Sequence, residues 1–254
     1  MGALHAGHAR LIEVSIRENP TTVVSIFVNP TQFNDPADFK RYPRTLEADL
    51  ALCESLGADI VFTPMPEEIY PRPQQAFVDV ARVTEHLEGK FRPGHFRGVA
   101  TVVMKLLQIV QPARVYLGEK DAQQLAMIRV MVSDLNVPVE VVAVPTVREP
   151  DGLAMSSRNR LLDASSRAAA PLLYQALQLA ASRVAEGVTD VAAIRREALA
   201  TLAHPRIRVE YFEFADPVWM EPVQRIDGPV RIAIAAYLGS VRLIDNAMAV
   251  SCVS

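Results

Sequence analysis

The sequence predicts an α/β fold, a parallel sheet flanked by helices, followed by a smaller α+β region. Three observations carry this expectation. Short β-branched runs alternate with helical patterns as far as about residue 147. Several of those runs are apolar throughout, as strands covered on both faces require. Beyond residue 160 the order changes to two alanine-rich helices followed by strands, which places a domain boundary near residue 147 and gives domains 1–147 and 148–254.

The first turn is Met1-Gly2-Ala3-Leu4-His5-Ala6-Gly7-His8, and the stripe Leu11, Ile12, Val14 and Ile16 continues it as a helix. Thr22 to Val28 reads as a buried strand ending in the loop Asn29-Pro30-Thr31-Gln32-Phe33. Asp35 to Arg44 is polar and reads as a structured surface loop. Thr45 caps a helix through Leu56 that Gly57 closes. Asp59 to Thr63 is the next strand, and Pro64 to Pro73, with four prolines, is a rigid connection and not a helix. A strand is expected over Phe77 to Val83, a covering segment over Glu85 to Gly98, and a buried helix over Gly98 to Val110 that Pro112 stops. Arg114 to Leu117 and Val137 to Val144 are strands around a helix at Ala122 to Leu135. In the second region, Ala164 to Gly187 and Asp190 to Ala203 are helices. Arg208 to Ala215 and Val230 to Leu238 are strands, and Val241 to Ile244 returns from a hairpin at Gly239-Ser240.

The chain has 254 residues, 50% of them hydrophobic and 22% charged, which is ample for a globular core. A net charge of −3 argues against bulk binding to nucleic acid or to a membrane surface. Two cysteines, Cys53 and Cys252, are too few for a disulfide framework, and they read as reduced thiols of a cytoplasmic protein. The longest apolar run, Val99 to Val110, contains Lys105 and is too short for a membrane span, and no signal peptide is expected.

Chemistry concentrates in three places. His5 and His8 share one face of a first helical turn, beside unpaired backbone N–H groups and the positive end of the helix dipole. Phosphate is the usual guest there, and Gly7 lets it approach the backbone. A solvated helix end is the plain alternative, and zinc is a weaker rival because no cysteine or third histidine is near. Gly118-Glu119-Lys120-Asp121 leaves a strand and enters a helix, where it can serve phosphate or ribose hydroxyls, or form a surface ion pair. Met155-Ser156-Ser157-Arg158 follows the last strand of the first region, with two hydroxyls and a guanidinium suited to phosphate oxygens. In parallel sheets, ligands sit beyond the carboxyl ends of the strands, which is where these words fall.

The order His-x-Gly-His, Gly-Glu-Lys-Asp, Met-Ser-Ser-Arg-Asn resembles the nucleotidyltransferase superfamily. Within it, Phe27-Val-Asn-Pro-x-Gln-Phe33, Tyr42-Pro-Arg-Thr45, Gly118-Glu-Lys-Asp-x-Gln-Gln124, Pro145 to Asn159 and Arg242-Leu-Ile-Asp-Asn246 resemble the pantothenate synthetase (pantoate–β-alanine ligase) family over nearly the whole chain. The resemblance implies a Rossmann-like first domain and a C-terminal lid domain. It implies ATP-dependent condensation of (R)-pantoate with β-alanine through pantoyl adenylate, releasing pyrophosphate and AMP. By the same resemblance, Met1, Gly2, Ala3, Leu4, His5, Ala6, Gly7 and His8 line ATP, with His8 the proton donor. Gly118, Glu119, Lys120 and Asp121 meet phosphate and ribose, and the backbone of Val147 meets adenine. Met155, Ser156, Ser157 and Arg158 close on the phosphates. His5, His8, Lys120, Ser156, Ser157 and Arg158 form the catalytic set. Gln32 and Gln124 take pantoate, and Gln32 also β-alanine. Mg²⁺ bridges phosphates with Asp49 as its protein ligand, and a homodimer is expected. Family members carry a strand ending in Pro-Thr before the position of Met1, so the first strand of the sheet is expected to be missing ahead of this chain.

Two rivals remain. One is a nucleotidyltransferase that stops at the nucleotidyl product, against which Gln32 and Gln124 speak. The other is a nucleotide sensor without catalysis, against which the two histidines and the Ser-Ser-Arg loop speak.

Overall fold

The computed structural model describes residues 2–252, so Met1 lies outside it. The chain divides into two compact units. One comprises Met1–Ala81, Glu88–Glu119 and Met127–Val147; the other comprises Arg82–Leu87, Lys120–Ala126 and Arg148–Ser254.

The first unit opens with α1 (Ala6–Glu18) and β1 (Val23–Ser25), then α2 (Pro36–Arg41), α3 (Leu46–Leu56) and β2 (Ile60–Phe62). It continues through α4 (Pro66–Ile69), α5 (Glu88–Phe91), α6 (His95–Val110), β3 (Arg114–Gly118), the part of α7 (Ala122–Asp134) from Met127 onward, and β4 (Glu140–Val144). β1 pairs with β2 and β3 with β4, both in parallel. The parallel direction agrees with the sequence, but a single sheet does not form. Among the described residues the two pairs are separate sheets. Apolar runs encode burial and not the identity of a neighbour, so they do not specify which strands join. Sheets only two strands wide also leave β1 to β4 mostly half-buried, not covered on both faces.

Other expectations are corrected locally. Residues 77–83 form no strand; the Val78 N–H goes instead to the Thr101 hydroxyl at 3.0 Å. The proline-rich connection contains α4, which starts on Pro66, because proline at the first helical position sacrifices no donor. The polar stretch after Asn34 contains α2, capped by Asp35. Gly57 closes α3 with φ +86° as a C-cap should, but the Thr45 hydroxyl makes no capping bond and donates to Asp49 instead.

In the second unit, the long alanine-rich helix is broken at Pro171 into α8 (Ala164–Ala169) and α9 (Leu172–Ala185), followed by α10 (Val191–Thr201). The antiparallel sheet runs β5 (Ile207–Ala215), β6 (Val230–Leu238) and β7 (Val241–Ala249) in that order. Gly239, at φ +60°, turns the hairpin between β6 and β7. One face of this sheet, with Phe212, Phe214, Ile232, Ile234 and Leu243, packs on Leu173, Leu177, Ala180 and Ile194. Alanines at the contact let α9 and α10 approach the strands closely. Among the described residues no helix is long and apolar enough to cross a membrane.

Candidate active site

The two-histidine turn is built by hydrogen bonds that the sequence does not announce. Gly2 and Ala3 hold left-handed backbone, φ +104° and +50°, the latter a strained conformation for alanine. Asp49 of α3 holds the turn in place. Its buried carboxylate accepts the Ala3 and Leu4 N–H groups, each at 2.8 Å, and the Thr45 hydroxyl at 3.0 Å. His5 caps α1: its Nδ1 accepts the Gly7 N–H at 3.1 Å, while His8 Nδ1 accepts the His5 N–H at 3.3 Å. The rings lie 4.1 Å apart, centroid to centroid. Backbone N–H groups can only donate, so both Nδ1 atoms are acceptors. In the neutral rings the proton therefore sits on Nε2, on the side away from the cap. The turn thus offers two imidazole N–H donors at a helix N-terminus, an arrangement suited to phosphoryl oxygens.

Behind this turn, Cys53 is buried in the core with Leu4, Ile12 and Ile26. Burial, reinforced by the charge of Asp49, pushes its thiol pKa up, so it stays an inert thiol.

Gln32 sits in a one-turn 3₁₀ segment, Pro30–Gln32, and is buried. The side chain of Asn29 organises it. Asn29 Nδ2 donates to Gln32 Oε1 and to the Gly98 carbonyl, both at 3.1 Å, and Asn29 Oδ1 accepts from the Tyr70 hydroxyl at 2.8 Å. Burial raises the Tyr70 pKa, opposed by a hydrogen bond with Thr31, so the phenol keeps its proton. The Gln32 carbonyl accepts from His95 Nδ1 at 2.8 Å and from Arg92 Nη2 at 3.4 Å. Arg92 Nη1 lies 3.1 Å from His95 Nε2; a guanidinium only donates, so the His95 proton is on Nδ1. Gly98 lets α6 lie directly on this turn: a Cβ there would stand 2.4 Å from the Thr31 carbonyl oxygen. Asn29, Arg92, His95 and Gly98 were not expected at the site. The signal for the last three is an arginine and a histidine in a glycine-bounded word, Gly89 to Gly98, within the segment expected only to cover a site.

In the second unit, Lys120 and Asp121 form a short-range ion pair, Nζ to Oδ1 3.5 Å, at the start of α7. Gln124 is half-buried one turn further on, beside buried Gln123. Arg148 opens a tight hairpin, Arg148 to Ala154, that leads into Met155-Ser156-Ser157-Arg158. The Ser156 hydroxyl caps the 3₁₀ turn Ser157–Leu161 by accepting the Arg158 N–H at 3.3 Å. Asp151 and Gly152, within this hairpin, are pinned. Arg167 bonds Asp151 at 2.6 Å and Glu149 at 2.6 Å, and a Cβ on Gly152 would meet the Tyr174 ring at 2.5 Å. The Arg167 guanidinium holds the Asp151 carboxyl below its ordinary pKa.

The structure therefore gathers Gly2 to His8 in one place and Gln32 in another of the first unit, with Gly118, Glu119 and Val147 half-buried in the same unit. Lys120, Asp121, Gln124 and Met155 to Arg158 belong to the second unit. Asp49 was expected as the magnesium ligand, but its carboxylate is engaged by the backbone of the turn. Among the described residues no group of three or more His, Cys, Asp or Glu side chains could hold a metal ion.

The family model described as pantoate-beta-alanine ligase matches residues 1–248. A pantothenate synthetase of Herpetosiphon aurantiacus is 53% identical over 248 residues, 97% of this chain and 90% of the relative. The crystal structure of pantothenate synthetase from Thermus thermophilus superposes with a TM-score of 0.93 at 47% identity, covering 97% of this chain and 90% of that one. That of pantoate-beta-alanine ligase from Francisella tularensis, complexed with beta-gamma ATP and beta-alanine, gives a TM-score of 0.81 at 38% identity over 98% and 87%. A match across nearly the whole chain, in sequence and in fold, places this protein in the pantoate–β-alanine ligase family, a family of ligases.

Proposed function

We propose that the chain condenses (R)-pantoate with β-alanine in two steps. A pantoate carboxylate oxygen attacks the α-phosphorus of ATP; the bond to the bridging oxygen breaks, and its electron pair leaves with pyrophosphate. The β-alanine amine then attacks the acyl carbon of pantoyl adenylate and loses a proton, and AMP leaves with the original carboxylate oxygen. Adenylation is needed because a free carboxylate is a poor electrophile. The observation that carries this reading is the capped histidine pair, with both Nδ1 atoms tied to backbone donors and the ring protons therefore on Nε2. Such fixed donors stabilise charge gathering on phosphoryl oxygens without reorganising during the step.

In this reading Gly2, Ala3, Leu4, Ala6 and Gly7 line the nucleotide, and His8 donates to the reacting phosphoryl group. Lys120, Ser156, Ser157 and Arg158 neutralise the leaving pyrophosphate. Gly118, Glu119 and Asp121 face phosphate and ribose, and the Val147 backbone faces adenine. Gln32 and Gln124 read the hydroxyls and carboxylate of pantoate without adding charge. The buried Asn29, His95 and Arg92 contacts support Gln32 in that role. A magnesium ion carried by the nucleotide would need few protein ligands and keep much of its water. When bound it screens phosphate charge. A Rossmann-like first domain, a homodimer and a cytoplasmic location complete the proposal on the strength of the family resemblance.

Pantoate-dependent exchange of labelled pyrophosphate into ATP in the absence of β-alanine tests the reading. The wild-type protein should support it, and His8→Ala should slow it by about 10²-fold. No exchange by the wild type, or an unchanged rate in the variant, would refute the adenylate route or the role of His8 respectively.

A further inference from the structure

Strand β7 carries Asp245 and Asn246 in succession, and successive side chains of a strand point to opposite faces. Val241, Leu243 and Ala249 mark the face packed on the helices, and Asp245 shares it. There its carboxylate, 3% exposed, receives Arg148 through two bonds of 2.6 and 3.0 Å, and the guanidinium lies 3.7 Å over the Tyr174 ring. Arg148 also donates to the Gly152 carbonyl at 3.1 Å, so the base of the hairpin leading to Ser156–Arg158 is fixed to this strand. On the opposite face, Asn246 Nδ2 donates to the Lys120 carbonyl at 2.9 Å. Arg231 Nη1 reaches Asn246 Oδ1 at 2.8 Å, and because a guanidinium only donates, the amide can be oriented only with its NH₂ towards Lys120. Arg148 Nη2 closes the set on the Asn246 carbonyl at 3.3 Å.

We propose that Asp245 and Asn246 are positioning residues of the adenylation step: one strand holds the Lys120 segment from one face and the base of the Ser156–Arg158 loop from the other, and so fixes the spacing of the two cationic phosphate-handling elements. This rests on the proposed adenylation chemistry. A strand is well suited to the task, since its ladder pairing with β6 along its length leaves it little freedom to shift.

The test is a double-mutant cycle on the full chain, read by rapid-quench single-turnover formation of pantoyl adenylate. Asn246→Asp keeps an oxygen for Arg231 but sets a charged, acceptor-only oxygen against the Lys120 carbonyl; Asn246→Ala loses both bonds without adding charge. Each should slow adenylate formation by about 10-fold, the scale of a sub-ångström misplacement. The KM for β-alanine and the melting temperature should stay near wild type. In a Lys120→Ala background the same substitutions should change the rate by less than about twofold, because the residue they position is gone. A folded Asn246→Asp variant with a wild-type rate would overturn the proposal. So would an undiminished loss in the Lys120→Ala background, or a melting temperature lowered by more than about 10 °C in both variants, which would make the role structural. Failure of the adenylation reading itself is distinguishable: the wild-type protein would then form no pantoyl adenylate, whereas Lys120→Ala forming it at the wild-type rate would remove only Lys120 from the step.

Discussion

Gly98→Ala is a one-carbon change whose consequence can be worked out from the contact it creates. A Cβ at this position would lie 2.4 Å from the Thr31 carbonyl oxygen, 2.7 Å from its carbon and 2.9 Å from the Gln32 nitrogen. All three are backbone atoms, so no rotamer change relieves the clash. Bringing the first contact out to 3.0 Å, below which real Cβ atoms are not found, moves the 30–32 turn or α6 by at least ~0.6 Å. Two effects on stability oppose each other. Alanine is a better helix former by about 1 kcal/mol, while overpacking costs about 1–3 kcal/mol, so the net change is a modest destabilisation. The effect on function is larger. The displaced turn carries Gln32, and the His95 and Arg92 bonds to the Gln32 carbonyl come from α6 and the residues just before it. A displacement approaching 1 Å costs up to about 10²-fold in a positioned reaction. Gly98→Ala should therefore lower kcat/KM for pantoate by about 10- to 100-fold, while ATP affinity measured by calorimetry changes little. Gly228→Ala, with nothing within 4 Å of its added carbon, is the control and should match wild type. A Gly98→Ala enzyme within about twofold of wild type for pantoate would refute the argument that this close approach sets the position of Gln32.

Two further outcomes follow from the same contacts. Asp49→Asn should destabilise the first unit by about 1–3 kcal/mol in urea unfolding, since the Ala3 and Leu4 N–H groups go to different carboxylate oxygens and an amide replaces one of these with an NH₂ donor, leaving a buried N–H unmet. The Mg²⁺ concentration for half-maximal rate should not move, and a large increase would restore Asp49 as a metal ligand. Asp163 caps α8, and its carboxyl is lowered to about 2, first by the Ser165 hydroxyl and then by the Ser166 N–H, from an ordinary value of 3.8. A depressed carboxyl stabilises the fold above its unfolded pKa and loses that contribution as pH falls through the folded one. Asp163→Ala should therefore lower the thermal midpoint at about pH 6, with the difference from wild type shrinking between about pH 4 and pH 2; a difference constant over that range would contradict the capping account.

What the sequence determined by itself is local. Helices and strands are legible where side-chain period, Gly57 or the Gly239-Ser240 turn fixes the backbone, while the break at Pro171 lies inside a stretch whose pattern reads as one helix. The chemistry of His5, His8, Lys120 and Ser156–Arg158 was legible as words, because anion binding demands particular residue types at short spacing. The tertiary structure alone decided how those words are held. Asp49, 45 residues from Leu4, supports the strained turn. Asn29, Arg92, His95 and Gly98 converge on Gln32 from separate elements, and Asp245 and Asn246 reach back about 100 residues or more to Arg148 and Lys120. It also decided that β1–β2 and β3–β4 are separate pairs among the described residues. The physical reason is common to all of these. Periodicity and capping are properties of neighbours along the chain, whereas a buried carboxylate, a missing Cβ or a strand edge takes its meaning from whatever distant segment the fold brings against it.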